Sequence, residues 1–122
     1  MTGPAELAVL IVEDEPIIAM ELEDALAEAG FDVLGIAPSV AEARRRLAGA
    51  RPDCVVLDMH LRGETTFALA DELAAEGVAR LFVSGNEASA LPAHLRDATL
   101  LPKPVRMDRL ARAIAAEVGR AA

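Results

Sequence analysis

Short apolar runs alternate with longer amphipathic stretches from one end of this chain to the other. The segments "AVLIV" (8–12), "DVLGIA" (32–37), "CVVLD" (54–58), "RLFVS" (80–84) and "ATLLP" (98–102) have strand length, and several are rich in Val, Leu and Ile. Between them lie helical patterns. Pro16 opens the first, with Ile17, Ile18, Met20, Leu22 and Leu26 on a broad apolar face and Gly30 as a stop. Ser39 caps the second, with Glu42 at the capping-box position and Gly49 near its end. The third starts at Thr65 or Thr66 and runs to Gly77, and the last covers 107–118. The fourth is the exception: "NEASALPAHLRD" has a proline in its middle and little apolar periodicity, so a short or distorted, poorly ordered helix beginning near Pro92 is expected.

Strand and helix alternating five times favour an α/β fold, because each parallel crossover needs a helix-length connection and a central parallel strand reads as a continuous apolar run. In such an open sheet, ligands bind beyond the carboxyl ends of the strands. At 122 residues the chain is expected to form one domain over 7–120 after a short tail at 1–6, with no separate output domain.

Charge narrows the function. The formal net charge of -8 argues against a nucleic-acid surface, which needs a basic face, and the local cluster Arg44 to Arg46 does not overturn that. No apolar stretch approaches the length of a membrane span, and no basic segment leads into a signal sequence. Cys54 is the only cysteine and sits in an apolar run, so a disulfide or a cysteine metal site is not expected and a reducing cytoplasm is. Cys54 reads as a small buried hydrophobe, and Met20, Met59 and Met107 as packing residues.

Laid along the carboxyl edge of the sheet, the polar residues converge. The first strand ends at Glu13 and Asp14, the third at Asp58, the fourth at Ser84, and the fifth runs into Lys103 within "PKP". Carboxylates this close repel and raise one another's pKa, so a cation belongs among them. Hard carboxylate oxygens suit Mg2+, which keeps several waters in an octahedral shell. With the ion and Lys103 offsetting its neighbours, Asp58 can stay ionised and attack phosphorus, giving an aspartyl phosphate, while Ser84 and Lys103 bind the phosphoryl oxygens. The blander readings are weaker in this company. Acids after a strand are often solvated helix starts, an aspartate can be a turn residue, and a lysine between prolines can simply be exposed. His60 and His94 read as surface residues with no side-chain metal role, although His60 can influence water access two residues past Asp58.

"LIVEDEP", "VVLDMHL", "FVSG" and "LPKPV", in this order and at these intervals, resemble a response regulator receiver domain over nearly the whole chain. The resemblance implies a flavodoxin-like (βα)5 three-layer sandwich with a parallel five-stranded sheet in the order 2-1-3-4-5. It implies Asp58 as phosphoacceptor, Asp14 as direct Mg2+ ligand, Glu13 acting mainly through water, and the backbone carbonyl of His60 completing the set. Ser84 would be the switch hydroxyl and Lys103 the family lysine. The chemistry would take place on the chain itself, as self-phosphorylation and slow autodephosphorylation, and not as turnover of a separate substrate. "LRGETTFALADELAAEGVARLFVSG" is similar to the FAT GUY subgroup of stand-alone receivers, whose members are linked to sensor histidine kinases in general stress signalling. Here Phe82, Val83, Ser84 and Gly85 occupy the first part of that signature, and Asn86 and Glu87 stand where its tyrosine would be sought. Leu100 replaces the Tyr or Phe that most receivers carry three residues before the lysine. The partners implied are a sensor histidine kinase or histidine phosphotransfer protein and a downstream protein, with the chain a monomer or a phosphorylation-dependent dimer.

Three rivals are set against this. A flavin binder of the same architecture needs a phosphate-cradling loop after the first strand, where three carboxylates would repel the cofactor, and Trp and Tyr are absent. A phosphatase of the haloacid dehalogenase type carries its nucleophile after strand one with a second Asp two residues on, which "DMHL" after strand three does not match. A pseudo-receiver that binds partners without phosphorylation is separated only by experiment.

Overall fold

The computed structural model describes residues 7–85 and 88–121. In chain order these form β1 (Ala8–Val12), α1 (Pro16–Glu28), β2 (Asp32–Ala37), α2 (Val40–Gly49), β3 (Cys54–Asp58), β4 (His60–Leu61), β5 (Glu64–Thr65), α3 (Phe67–Ala75), β6 (Ala79–Ser84), β7 (Leu100–Pro102) and α4 (Met107–Ala121). The tail expected at 1–6, and Asn86 and Glu87, lie outside the described residues.

Alternate residues of a strand face opposite sides of a sheet, and here both sides are apolar. Leu10, Val12, Val55, Leu57 and Phe82 pack with residues of α2 and α3 on one side. Val9, Ile11, Val56, Leu81 and Val83 pack with α1 and α4 on the other. The result is three layers around one parallel five-stranded sheet in the order β2-β1-β3-β6-β7, the order 2-1-3-4-5 among its own strands. Cys54 lies wholly inside, and burial pushes its thiol pKa up to about 12.

The helix boundaries follow local chemistry. Pro16 stands at the first turn of α1, where a missing N–H costs nothing. Gly30 ends that helix at φ 99°; its amide donates to Ala27 O, and the amide of Phe31 donates to Leu26 O, so the free carbonyls are closed in a left-handed cap that favours glycine. Ser39 Oγ accepts from the amide of Glu42 at 3.1 Å at the start of α2. The Glu42 side chain does not close the capping box but pairs with Arg45 at 2.6 Å.

Some boundaries and one helix face differ from expectation. The third helix begins at Phe67, because Glu64 and Thr65 form a hairpin with His60 and Leu61. The last helix continues to Ala121, and the last strand is only Leu100–Pro102. As expected, Pro92 allows only a short, distorted helix between β6 and β7, where the described residues contain no α-helix. They make 3-10 turns at Ala88–Ala90 and Ala93–Leu95, since Pro92, at φ -58° and ψ 155°, holds an extended backbone between them. Leu91 and Leu95 are nevertheless buried in the core. Finally, Met20 is 57% exposed and Ile17 73%, because α1 turns only Ala19, Leu22 and Leu26 fully inward.

Candidate phosphoacceptor site

Strand register brings the chemistry together. Val12 pairs with Leu57, which puts the next residues, Glu13 and Asp58, level at the sheet edge. Asp58 pairs with Val83, and Ser84 with Pro102, so Ser84 and Lys103 arrive at the same edge from the other side. The amide of Lys103 donates to Ser84 O at 3.0 Å, extending the ladder past the end of β7. The Ser84 residue is buried.

Lys103 is the hub of the charged groups. Its Nζ lies 2.7 Å from Glu13 Oε1 and 3.2 Å from Asp58 Oδ2. All three are withdrawn from water, with side chains 18%, 2% and 11% exposed for Lys103, Glu13 and Asp58. Burial works against the charge on Lys103, but the hydrogen bond to Glu13 and the charges of Asp58 and Glu13 outweigh it, and its pKa stands raised. Burial likewise pushes the Glu13 pKa up, and neighbouring Asp58 adds to that against the opposing pull of Lys103. The second oxygen of Glu13 accepts from the amide of Glu15 at 3.2 Å, so both of its oxygens are engaged within the protein.

Asp14 stands half-buried beside them. One oxygen from each of Glu13, Asp14 and Asp58 can be chosen so that all lie within 4.8 Å of one another. Three carboxylates against one lysine leave an uncompensated charge that a divalent cation would match, and an all-oxygen set of this kind suits a hard ion that retains water. The residues present therefore fit Mg2+: Asp14 and Asp58 would hold it, supported by Glu13, which also accepts from Lys103 and from the Glu15 amide.

The wall opposite is the β4–β5 hairpin, which the sequence did not disclose. Its two-residue turn, Arg62 and Gly63, uses glycine at φ 76°. In an antiparallel ladder, bonded and non-bonded pairs alternate. The amide of Thr66 bonds to Met59 O at 3.1 Å, which makes His60 and Thr65 a non-bonded pair. The backbone amide and carbonyl of His60 therefore face away from β5, toward the acids. In keeping with this, the His60 amide lies 3.4 Å from Asp58 Oδ1, and the Arg62 amide donates to Asp14 Oδ2 at 2.6 Å. The His60 ring is exposed and meets Phe67 edge to face at 6.0 Å, which leaves its side chain out of the acid cluster. Glu64 Oε2 accepts from the amide of Val40 at 3.1 Å, fastening the hairpin to the start of α2. Thr66, wholly buried, donates through Oγ1 to Asp58 O at 2.7 Å. The signal for these contacts is the string "RGETT" just past Asp58, a glycine between polar residues that reads equally as a plain loop.

A doubly wound parallel sheet with two adjoining acids, a third acid on the neighbouring strand and a lysine from the last strand defines a receiver-type α/β protein. The response regulator receiver domain family matches residues 9–115, and the chain belongs to it. The transcriptional regulatory protein PdtaR of Mycobacterium tuberculosis is 32% identical over 131 residues, covering 98% of this chain and 64% of PdtaR. The chain thus spans just under two thirds of that relative's length. The solution structure of SdrG from Sphingomonas melonis Fr1 superposes with a TM-score of 0.81 at 38% identity, over 97% of this chain and 99% of that one. The PhyR stress response regulator gives 0.73 at 30% identity over 92% of this chain and 45% of its own. Receiver domains of this family are signalling proteins. Among the described residues no helix is long and apolar enough to cross a membrane.

Proposed function

We propose that this chain works as a phosphorylation-dependent receiver of the cytoplasm, taking a phosphoryl group onto Asp58 with Mg2+ from a sensor histidine kinase or a histidine phosphotransfer protein. The observation that carries the reading is Asp58 itself: a carboxylate 3.2 Å from the Lys103 ammonium, level with Glu13 and grouped with Asp14. In the transfer, a carboxylate oxygen of Asp58 forms a bond to phosphorus as the P–N bond of a donor phosphohistidine breaks. The imidazole leaves with the bonding pair and takes a proton from water. Lys103 stabilises the charge gathering on the phosphoryl oxygens, and Ser84, beside it at the strand edge, receives one of them. Asp14, Asp58 and the His60 carbonyl, with Glu13 acting through water, would hold Mg2+, which would supply further charge neutralisation. Positioning and electrostatics carry most of such a transfer, so no separate base is required.

Support for a protein donor comes from α1. Met20, exposed on α1, borders Glu13 and Asp14, and on another face of the same helix Ile18 and Leu22 line a groove of about 480 Å³ with Lys103, Pro104, Val105 and Met107. Exposed apolar surface next to a charged reaction centre suits a helical partner that must bring its histidine to Asp58. The likeness to the PhyR stress response regulator supports an output in stress signalling, read by a downstream protein that docks on the phosphorylated form.

Acetyl phosphate with and without Mg2+, followed by intact mass measurement, tests the reading. The wild-type protein should gain one phosphoryl group only with the metal, and Asp58→Asn should gain none. Equal gain by the Asn variant would end the assignment, and no gain by the wild type would favour a module that binds partners unphosphorylated.

A further inference from the structure

Among the described residues three polar side chains belong to buried residues: Glu13, Ser84 and Thr66. The first two stand at the site. Thr66 is the third, and it stands directly ahead of α3, where a threonine ordinarily turns its oxygen to a free amide of the first helical turn, a bond worth about 1 kcal/mol. No such cap bond forms here. The hydroxyl reaches back instead to the end of β3, 2.7 Å from Asp58 O and 3.4 Å from Met59 O. A hydroxyl has one proton to donate, and the shorter contact takes it. The Thr66 amide meanwhile holds Met59 O at 3.1 Å.

Both carbonyls that follow the acceptor's carboxylate along the chain are thus held by one residue. Met59 and Leu61 are buried, and His60 between them is exposed. With the peptides of Asp58 and Met59 pinned, the next amide and carbonyl, those of His60, have one direction left, toward the acids. We propose that Thr66 is a positioning residue for the phosphoacceptor: its hydroxyl fixes the peptide planes between Asp58 and His60, and so sets both the Asp58 carboxylate and the His60 carbonyl for the metal. The inference rests on the reading of Asp58 given above.

Thr66→Val keeps the side-chain shape and deletes the donor, whereas Thr66→Ser keeps the donor and deletes a methyl group. Three measurements apply to each: Mg2+ affinity by calorimetric titration, the rate of phosphoryl gain from acetyl phosphate at saturating Mg2+, and urea unfolding. Groups that orient metal ligands typically change affinity or activity about 10- to 100-fold when lost, and a loss in that range is expected for Val on both functional measurements. Ser should stay close to the wild type on both, even where its unfolding midpoint falls. Wild-type Mg2+ affinity and rate in the Val variant would overturn the proposal. So would a Ser variant as impaired as Val, because the methyl group and not the hydroxyl would then matter. If Val does not fold, Thr66→Ala takes its place against Ser under the same criteria. A wild-type protein that takes up no phosphoryl group would overturn the reading of Asp58, and the Mg2+ titration would then decide on Thr66 by itself.

Discussion

Two connections leave the carboxyl edge of the sheet on the same side of the molecule, and they are built on different principles. Between β3 and β6, the chain makes a hairpin and a regular helix, and its first residues are tied by directional bonds: Thr66 to Asp58, Arg62 to Asp14 and Glu64 to the start of α2. Between β6 and β7, the described residues make only 3-10 turns, held chiefly by Leu91 and Leu95 in the core. Hydrogen bonds set distances and angles. Burial is non-directional and sets proximity alone. The connection that carries the candidate chemistry is therefore the one bonded directly to the acids and to α2, whereas the other bonds chiefly within its own turns and is anchored by burial. That contrast also bears on Leu100, which packs partly buried against the same core as Leu91 and Leu95 and offers no ring to couple the two regions.

The contrast breaks most directly at Leu95. Truncation of a fully buried leucine costs roughly 2–5 kcal/mol, so Leu95→Ala should lose about 3 kcal/mol in urea unfolding while leaving Mg2+ affinity near the wild type. A small stability loss, or a large change in affinity, would mean that the second connection shapes the site after all.

At the acids after β1, one of which the first connection grips through Arg62, the expected effects divide between metal and fold. Asp14→Ala should weaken Mg2+ binding by about tenfold or more, and by more than Glu13→Ala does. Glu13→Ala removes the 2.7 Å partner of Lys103 and should cost more stability than Asp14→Ala. Calorimetric titration and urea unfolding of both variants give the two rankings, and a reversed ranking for the metal would put Glu13 in direct contact with the ion.

A smaller effect lies in β3, which feeds that connection. The Cys54 thiol is raised to about 12 by burial first and by the charges of Glu117 and Asp53 next. Above the ordinary thiol pKa the unfolded chain loses this proton and the folded chain keeps it, so the unfolded state binds fewer protons and stability falls as pH rises. The slope from this group is about 1.4 kcal/mol per pH unit from roughly pH 9 upward. Subtracting the unfolding profile of Cys54→Ala from that of the wild type between pH 8 and 10 isolates it, and parallel profiles would show the thiol to be accessible to water.

The smallest change is expected at the surface clasp of the second connection. His94 Nε2 lies 3.0 Å from Asp71 on α3, with both side chains about half exposed. Pairs of that kind contribute about 0–1 kcal/mol, so Asp71→Asn should shift unfolding by under about 0.5 kcal/mol. A larger shift would make this connection depend on a directional bond and blur the distinction between the two.

Much of this molecule was legible from residue order. Uninterrupted runs such as "CVVLD" could only be strands buried on both faces, and five of them separated by helix-length segments leave few alternatives to a parallel sheet. The same logic located Glu13, Asp14, Asp58, Ser84 and Lys103 at one edge, because strand ends are visible in the pattern of apolar residues and a parallel sheet collects its carboxyl ends. Pro92 likewise announced that a fourth helix would not form in regular shape. Short-range signals do not reveal partners that lie far apart in the chain. That Met20 and Ile17 would point outward was decided by which face of α1 meets the sheet, the one carrying Ala19, Leu22 and Leu26. That "RGETT" would be a hairpin, and that Thr66 would spend its hydroxyl on the acceptor's carbonyl and not on its own helix, was decided by where β3 ends relative to the start of α3. The 2.7 Å contact between Lys103 and Glu13 joins residues 90 positions apart. Periodicity can name both residues, but only the register of strands in the folded sheet brings their charges within reach of each other.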